Sequence, residues 1–112
     1  MKLNHMNLTV TDVNATRKFF EKYFNVQTKG NHSDSFAIMV DEDGFLLALM
    51  KGSNVDYPKS FHIGFEQESK EHVNEINQRL KDDGYNVKPP IRTHRWTFYV
   101  KAPGGFTVEV FS

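Results

Sequence analysis

Hydrophobic and polar positions alternate along this chain in two rhythms, and the order of the rhythms repeats. Leu3–Val10, "LNHMNLTV", alternates with period two and predicts a strand. The period then changes. Val13, Thr16, Phe19, Phe20, Tyr23 and Phe24 fall on one helical face, with Thr11 or Asp12 as N-cap and Asn25 at the end. Val26–Lys29 carries a faint strand pattern. "SFAIMV" (Ser35–Val40) and "FLLALM" (Phe45–Met50) read as strands around a hairpin turn at Asp41–Gly44. After the polar connector Lys51–Lys59, "SFHIGFE" (Ser60–Glu66) reads as a strand again. Ser69 caps a helix with Val73, Ile76 and Leu80 on one face, stopped by Gly84. Tyr85–Pro90 is a short candidate strand closed by prolines. Arg95–Ala102 and Phe106–Phe111 are strands around the turn Pro103–Gly105.

The chain is therefore two β-α-β-β-β units of about 55 residues, an α+β fold in a single domain spanning residues 1–112. The units cover residues 1–50 and 60–112, joined by the connector 51–59. Locally, "NHMNL" aligns with "FHIGF", placing His5 against His62. "GFLLALM" aligns with "GFTVEVF", placing Ala48 against Glu109.

Parity along each strand assigns side chains to faces. Met6, Leu8 and Val10 form one set and His5, Asn7 and Thr9 the other. Phe61, Ile63 and Phe65 oppose His62, Gly64 and Glu66. Trp96, Phe98 and Val100 oppose Arg95, Thr97 and Tyr99, and Phe106, Val108 and Val110 oppose Thr107, Glu109 and Phe111. One set suits packing on helices. The other mixes ionisable groups with apolar residues, to which we assign Met39, Leu46, Met50 and Phe111. A curved mixed sheet with such an inner face predicts a small-molecule cup, and His5, His62 and Glu109 point into it. Glu109 is the telling residue, because an unpaired buried carboxylate costs several kcal/mol.

Composition narrows the function. Fourteen basic and fourteen acidic residues give no net charge and no basic run, which argues against nucleic acid or an anionic membrane as partner. No apolar run approaches the ~20 residues of a membrane span, and the polar start "MKLNHMNLTVTD" is not that of a secretory signal. With no cysteine, disulfides, a thiolate nucleophile and zinc–thiolate sites are excluded. A cytoplasmic protein is the expectation.

Several residues have two readings. Asn7 is a residue behind a metal ligand or a polar inner residue. Thr97 and Tyr99 are pocket hydrogen-bond donors or ordinary strand residues. Arg95 meets an anionic substrate or is an exposed strand-end cation. His94 lies near the cup by sequence, at the edge of a strand. His32, His72 and the helix Lys70–Asp83 read as solvated.

At the paired units, the histidine in the first strand of each, and the closing "APGGFTVEVFS", the chain resembles the vicinal oxygen chelate superfamily. Glyoxalase I, fosfomycin-resistance thiol transferases, methylmalonyl-CoA epimerase, extradiol dioxygenases and bleomycin-binding proteins belong to it. Ala102 and Gly104 stand where the family's turn usually has aspartates. The resemblance implies metal positions at His5, Ala48, His62 and Glu109. Ala48 cannot bind metal, so two histidines and one carboxylate are implied, as in the thiol transferases and dioxygenases. That set also suits a divalent first-row ion (Mn, Fe, Zn or Ni) on chemical grounds, with positions left for water or substrate. The resemblance implies an enzyme acting as a Lewis acid on a small oxygen-bearing substrate, with thiol transfer, and hence a thiol co-substrate, the leading expectation. The fosfomycin enzymes place a phosphonate-binding cation beyond their last strand, whereas this sequence stops at Ser112, so fosfomycin is not singled out. The alternatives are an Fe(II) extradiol-type dioxygenase, with His94 as its spare acid–base group, and a non-catalytic antibiotic-binding protein. A homodimer is also implied, with His5 given by one chain and His62 and Glu109 by the other.

Overall fold

The computed structural model describes residues 1–112. The element order is β1 (His5–Val10), α1 (Val13–Phe24), β2 (Gln27–Lys29), β3 (Phe36–Val40), β4 (Leu46–Lys51), β5 (His62–Glu66), α2 (Lys70–Asp82), β6 (Ile91–Arg92), β7 (Trp96–Ala102) and β8 (Phe106–Phe111). The two tandem β-α-β-β-β units are thus present. They form two four-stranded sheets, ordered β1-β4-β3-β2 and β5-β8-β7-β6. No helix is long and apolar enough to cross a membrane. The chain divides into two compact bodies, Met1–Tyr57 with Ala102–Gly105, and Pro58–Lys101 with Phe106–Ser112.

In the first body, Asp12 caps α1 by accepting from the Ala15 amide at 2.9 Å, and Asn25 ends the helix in the left-handed region at φ 53°. The helix buries Val13, Thr16, Phe19, Phe20 and Tyr23. Phe20 and Leu49 are fully buried, and a side chain of that size contributes about 1.5–3 kcal/mol when removed from water. Strand β1 runs parallel to β4, with His5 opposite Leu46, Asn7 opposite Ala48 and Thr9 opposite Met50.

Strand β1 is a sheet edge, and part of the expected connector covers it. The Tyr57 hydroxyl accepts from the Thr9 amide and donates to the Thr9 carbonyl, both at 2.9 Å. The Gly52 amide donates to the Val10 carbonyl at 2.9 Å. These contacts satisfy groups that an open edge would expose, and they lie within the first compact body, which runs through Tyr57. The turn Ala102–Gly105 joins the same body. The Gly104 carbonyl accepts from the Thr11 amide at 3.1 Å. Thr16 Oγ1 lies 2.7 Å from the carbonyl oxygens of both Asp12 and Pro103 and donates to one of them. Gly104 has φ +108°, and a Cβ there would strike Thr16 and Val10, so the position requires glycine.

Two sequence readings shift. Met39 is fully buried and pairs with Leu47. It therefore shares a face with Leu47 and Leu49 rather than with Leu46 and Met50. Strand β6 is Ile91–Arg92, not Tyr85–Pro90. Pro89 and Pro90 have no N–H to give a ladder, so pairing begins just after them.

In the second body, Ser69 caps α2 by accepting from the His72 amide at 3.2 Å. The helix buries Val73, Ile76, Asn77 and Leu80. Asn77 is satisfied by donating to the Lys88 carbonyl at 2.9 Å. Strand β5 runs parallel to β8, with His62 opposite Thr107 and Gly64 opposite Glu109. The first sheet repeats this register with His5 opposite Leu46 and Asn7 opposite Ala48. The alignment of the two halves is therefore a structural repeat.

Candidate functional site

Glu109 is a carboxylate inside a sheet of valines and phenylalanines, and it is 6% exposed. Parity on β8 turns it away from Val108 and Val110, toward the face that carries His62 on β5 and Thr97 and Tyr99 on β7. Three polar side chains meet it there. The Thr97 hydroxyl donates to Oε2 at 2.6 Å. His62 Nε2 lies 3.4 Å from Oε1, and His94 Nε2 lies 3.4 Å from Oε2. Thr97 is itself 2% exposed, so this hydrogen bond forms where water does not compete.

The ring of His62 is oriented from behind. Its Nδ1 is 2.9 Å from the Ser60 carbonyl oxygen. A carbonyl only accepts, so Nδ1 donates to it, and Nε2 is the nitrogen turned toward Glu109. Nε2 faces a carboxylate oxygen at 3.4 Å. A carboxylate and an imidazole nitrogen at this separation attract when positive charge lies between them. A proton or a metal cation supplies it, and the donor set of imidazole and carboxylate fits a divalent ion. No group of three or more His, Cys, Asp and Glu side chains is brought together in an arrangement that could hold a metal ion.

Tyr99 stands edge-on to His62, with ring centroids 5.6 Å apart and planes at 85°. Its phenol is raised above the ordinary 10.0 by partial burial first, then by the charge of Glu109 and a hydrogen bond to it. Tyr99 therefore remains a proton donor through neutral pH.

A cavity of about 680 Å³ opens beside this cluster. Lys88, His94, Thr97, Tyr99, Lys101 and Thr107 are among its lining residues, with Pro89, Ile91 and Val100 as apolar wall. The lining contains no carboxylate, so its charged groups are cationic.

The second body thus brings together His62, Glu109, Thr97 and Tyr99 of the residues singled out in the sequence. Arg95 has another occupation. It pairs with Glu66 at 2.6 Å, and its guanidinium lies 5.0 Å from the Phe111 ring. His5 and Asn7 lie on β1 in the first body. Both are exposed, and His5 Nδ1 is 3.2 Å from Asn4 Oδ1. Sequence reasoning left His94 undecided and passed over Lys88. The only signal for His94 is nearness to β7, because it lies in the turn between β6 and β7; Lys88, before β6, carries no signal of its own.

Residues 2–110 match the model of the Glyoxalase/Bleomycin resistance protein/Dioxygenase superfamily. The chain belongs to that superfamily. Among solved structures, a possible glyoxalase from Bacillus cereus superposes with a TM-score of 0.96 at 57% identity, covering 100% of this chain and 99% of that one. A variant of the fosfomycin resistance protein FosX from Listeria monocytogenes, in complex with Mn(II) and a dihydroxypropylphosphonic acid, gives 0.82 at 24% identity, covering 98% and 90%. That likeness shows the fold. Among characterised proteins, a probable trivalent organoarsenical cleaving enzyme of Bacillus subtilis is 24% identical over 116 residues, covering 99% of this chain and 80% of that protein. Glyoxalase-superfamily members with these names are enzymes, and the fold here is theirs.

Proposed function

We propose that this chain is a metal-dependent enzyme acting on a small, oxygen-bearing molecule, with His5, His62 and Glu109 as protein ligands of one divalent ion. The observation that carries the reading is the buried Glu109 carboxylate with His62 Nε2 3.4 Å from its Oε1. A buried carboxylate beside an imidazole nitrogen is a site made for a cation. The FosX complex with Mn(II) supports a divalent ion of the first transition row. When bound, the ion supplies a Lewis acid that polarises a substrate oxygen.

The chain's own residues do the rest. Thr97 fixes the rotation of the Glu109 carboxylate, and the Ser60 carbonyl fixes the tautomer of His62. Tyr99 offers a phenolic proton at the cavity. Lys88 and Lys101 favour a substrate with negative or developing negative charge, and Pro89, Ile91 and Val100 give its carbon skeleton an apolar wall. Transfer of an external thiol to an electrophile is the reaction we favour. Soft metalloids are held by thiolates, and with no cysteine the chain offers none. An oxygen-bearing substrate therefore suits it better than a trivalent arsenical.

His5 takes, in the first sheet, the register position that His62 takes in the second. This equivalence supports its role as a ligand. We assign it to a homodimer in which His5 of one chain serves His62 and Glu109 of the other. The ligand set is tested by calorimetric titration of Mn(II) or Zn(II) into wild type and Glu109→Gln. Loss of the charge at constant shape lowers affinity by orders of magnitude while the far-UV spectrum is kept. Equal affinity in the two proteins would overturn the assignment of Glu109.

A further inference from the structure

Strand β7 sets three side chains of one face in a row, Thr97, Tyr99 and Lys101, because side chains alternate along a strand. Thr97 donates to Glu109 Oε2 at 2.6 Å, and Tyr99 makes a hydrogen bond to the same carboxylate. Lys101 is the next residue of the row, about 7 Å of strand beyond Tyr99. It lines the same 680 Å³ cavity. The wall that β7 gives this cavity thus starts beside Glu109 and ends at an ammonium group.

Between those ends the wall is apolar. Ile91 stands opposite Thr97 in the β6–β7 ladder, so Ile91 and Tyr99 are diagonal neighbours, about 7–8 Å apart at the backbone. Arg92 faces the other way, with its guanidinium 5.6 Å from the Trp96 ring. Ile91 and Tyr99 both line the cavity, and they are 59% and 46% exposed. Two large side chains are therefore left open to water on one wall, and an apolar ligand that covers them gains from the water it displaces.

Charge and size narrow the occupant. Lys88 and Lys101 line the cavity, and no Asp or Glu does. Lys101 belongs to none of the ion pairs of the chain. The volume of 680 Å³ lies in the range of about 300–1,000 Å³ that takes a drug-sized organic molecule. A molecule of two or three carbons would fill a small part of it and leave the surface of Ile91 and Tyr99 wet.

We propose that this cavity binds an amphiphilic organic carboxylate, with its hydrocarbon body on Ile91 and Tyr99 and its anionic group at Lys101. Lys101 and Ile91 are then specificity-determining residues, the first selecting for charge and the second for bulk. The proposal names the substrate class of the enzyme proposed above and rests on that reading only in calling the ligand a substrate. The binding itself uses no metal ion.

The test is calorimetric titration of untagged full-length protein, metal-free and again with Mn(II). The probes are acetate, benzoate, decanoate and 2-naphthoate, with the neutral amides of the last three. Wild type, Lys101→Gln, Ile91→Ser and the remote control Lys81→Gln are compared, with far-UV spectra to show that each is folded. Wild type should bind at least one of the larger carboxylates about tenfold or more tightly than acetate, and more tightly than its amide. Lys101→Gln should weaken that carboxylate about fivefold or more and leave its amide unaffected. Ile91→Ser should weaken it about threefold or more, and Lys81→Gln should match wild type. The proposal is overturned if no larger carboxylate binds more tightly than acetate, if amide and acid bind alike, or if Lys101→Gln binds the carboxylate as wild type does. Titration of Mn(II) alone into the same protein decides the Glu109 reading separately, so either reading can fail without the other.

Discussion

Thr97 Oγ1 donates to Glu109 Oε2 at 2.6 Å, between two side chains that are both buried in the second sheet. Thr97 thus has a defined task, to hold one carboxylate oxygen in place. Thr97→Val keeps the shape and removes the donor. A buried hydrogen bond to a charged group contributes about 1.5–3 kcal/mol. Metal-free Thr97→Val should be less stable by roughly that amount in urea unfolding, and Thr97→Ser should recover most of it. A valine variant as stable as wild type would show that Glu109 does not depend on this donor.

Tyr99 predicts a dependence on alkaline pH. Its phenol is raised in the folded state by burial, by the charge of Glu109 and by its hydrogen bond to that residue. The fold therefore favours the protonated phenol. The stabilisation is fully present below the ordinary tyrosine value of about 10 and is lost as pH rises past it. In metal-free protein, the stability difference between wild type and Tyr99→Phe should be constant from about pH 7 to 9 and should move against wild type above about pH 10. Parallel curves through that range would contradict the coupling to Glu109.

The shared-site dimer predicts complementation. His5→Ala and Glu109→Ala are each expected to lack an intact site. Unfolded together and co-refolded, they should form heterodimers with one site that has His5, His62 and Glu109 all present. Random pairing makes about half of all dimers mixed, each with one intact site of two, so the mixture should bind about a quarter of the metal bound by wild type. No recovery in the mixture would place all three ligands within one chain.

His62 and Glu109 were legible because the chain repeats. A histidine in the first strand of each half, and a carboxylate where the other half has alanine, are visible without coordinates. The register confirms the equivalence, with His62 opposite Thr107 and Gly64 opposite Glu109. Met39 was misplaced because "SFAIMV" is apolar on both faces, and only its pairing with Leu47 settles the parity. Arg95 acquires Glu66 as partner because β8 sets the spacing between β5 and β7, a long-range relation that local pattern does not encode. His94 was left open because a turn has no period. Its approach to Glu109 depends on the backbone of Thr93–Arg95. The first body runs through Tyr57, whose hydroxyl bonds both backbone groups of Thr9, which a polar connector does not announce.

The central claim is that Glu109 is buried in order to hold a divalent ion. Elemental analysis decides it most directly, on untagged wild-type protein loaded with excess Mn(II) or Zn(II) and then dialysed against metal-free buffer. The account predicts about one ion retained per chain, as expected for a site with three or more protein ligands. Retention of no ion by well-folded wild type would contradict it and leave Glu109 as a carboxylate held by Thr97, Tyr99 and protonated histidine alone.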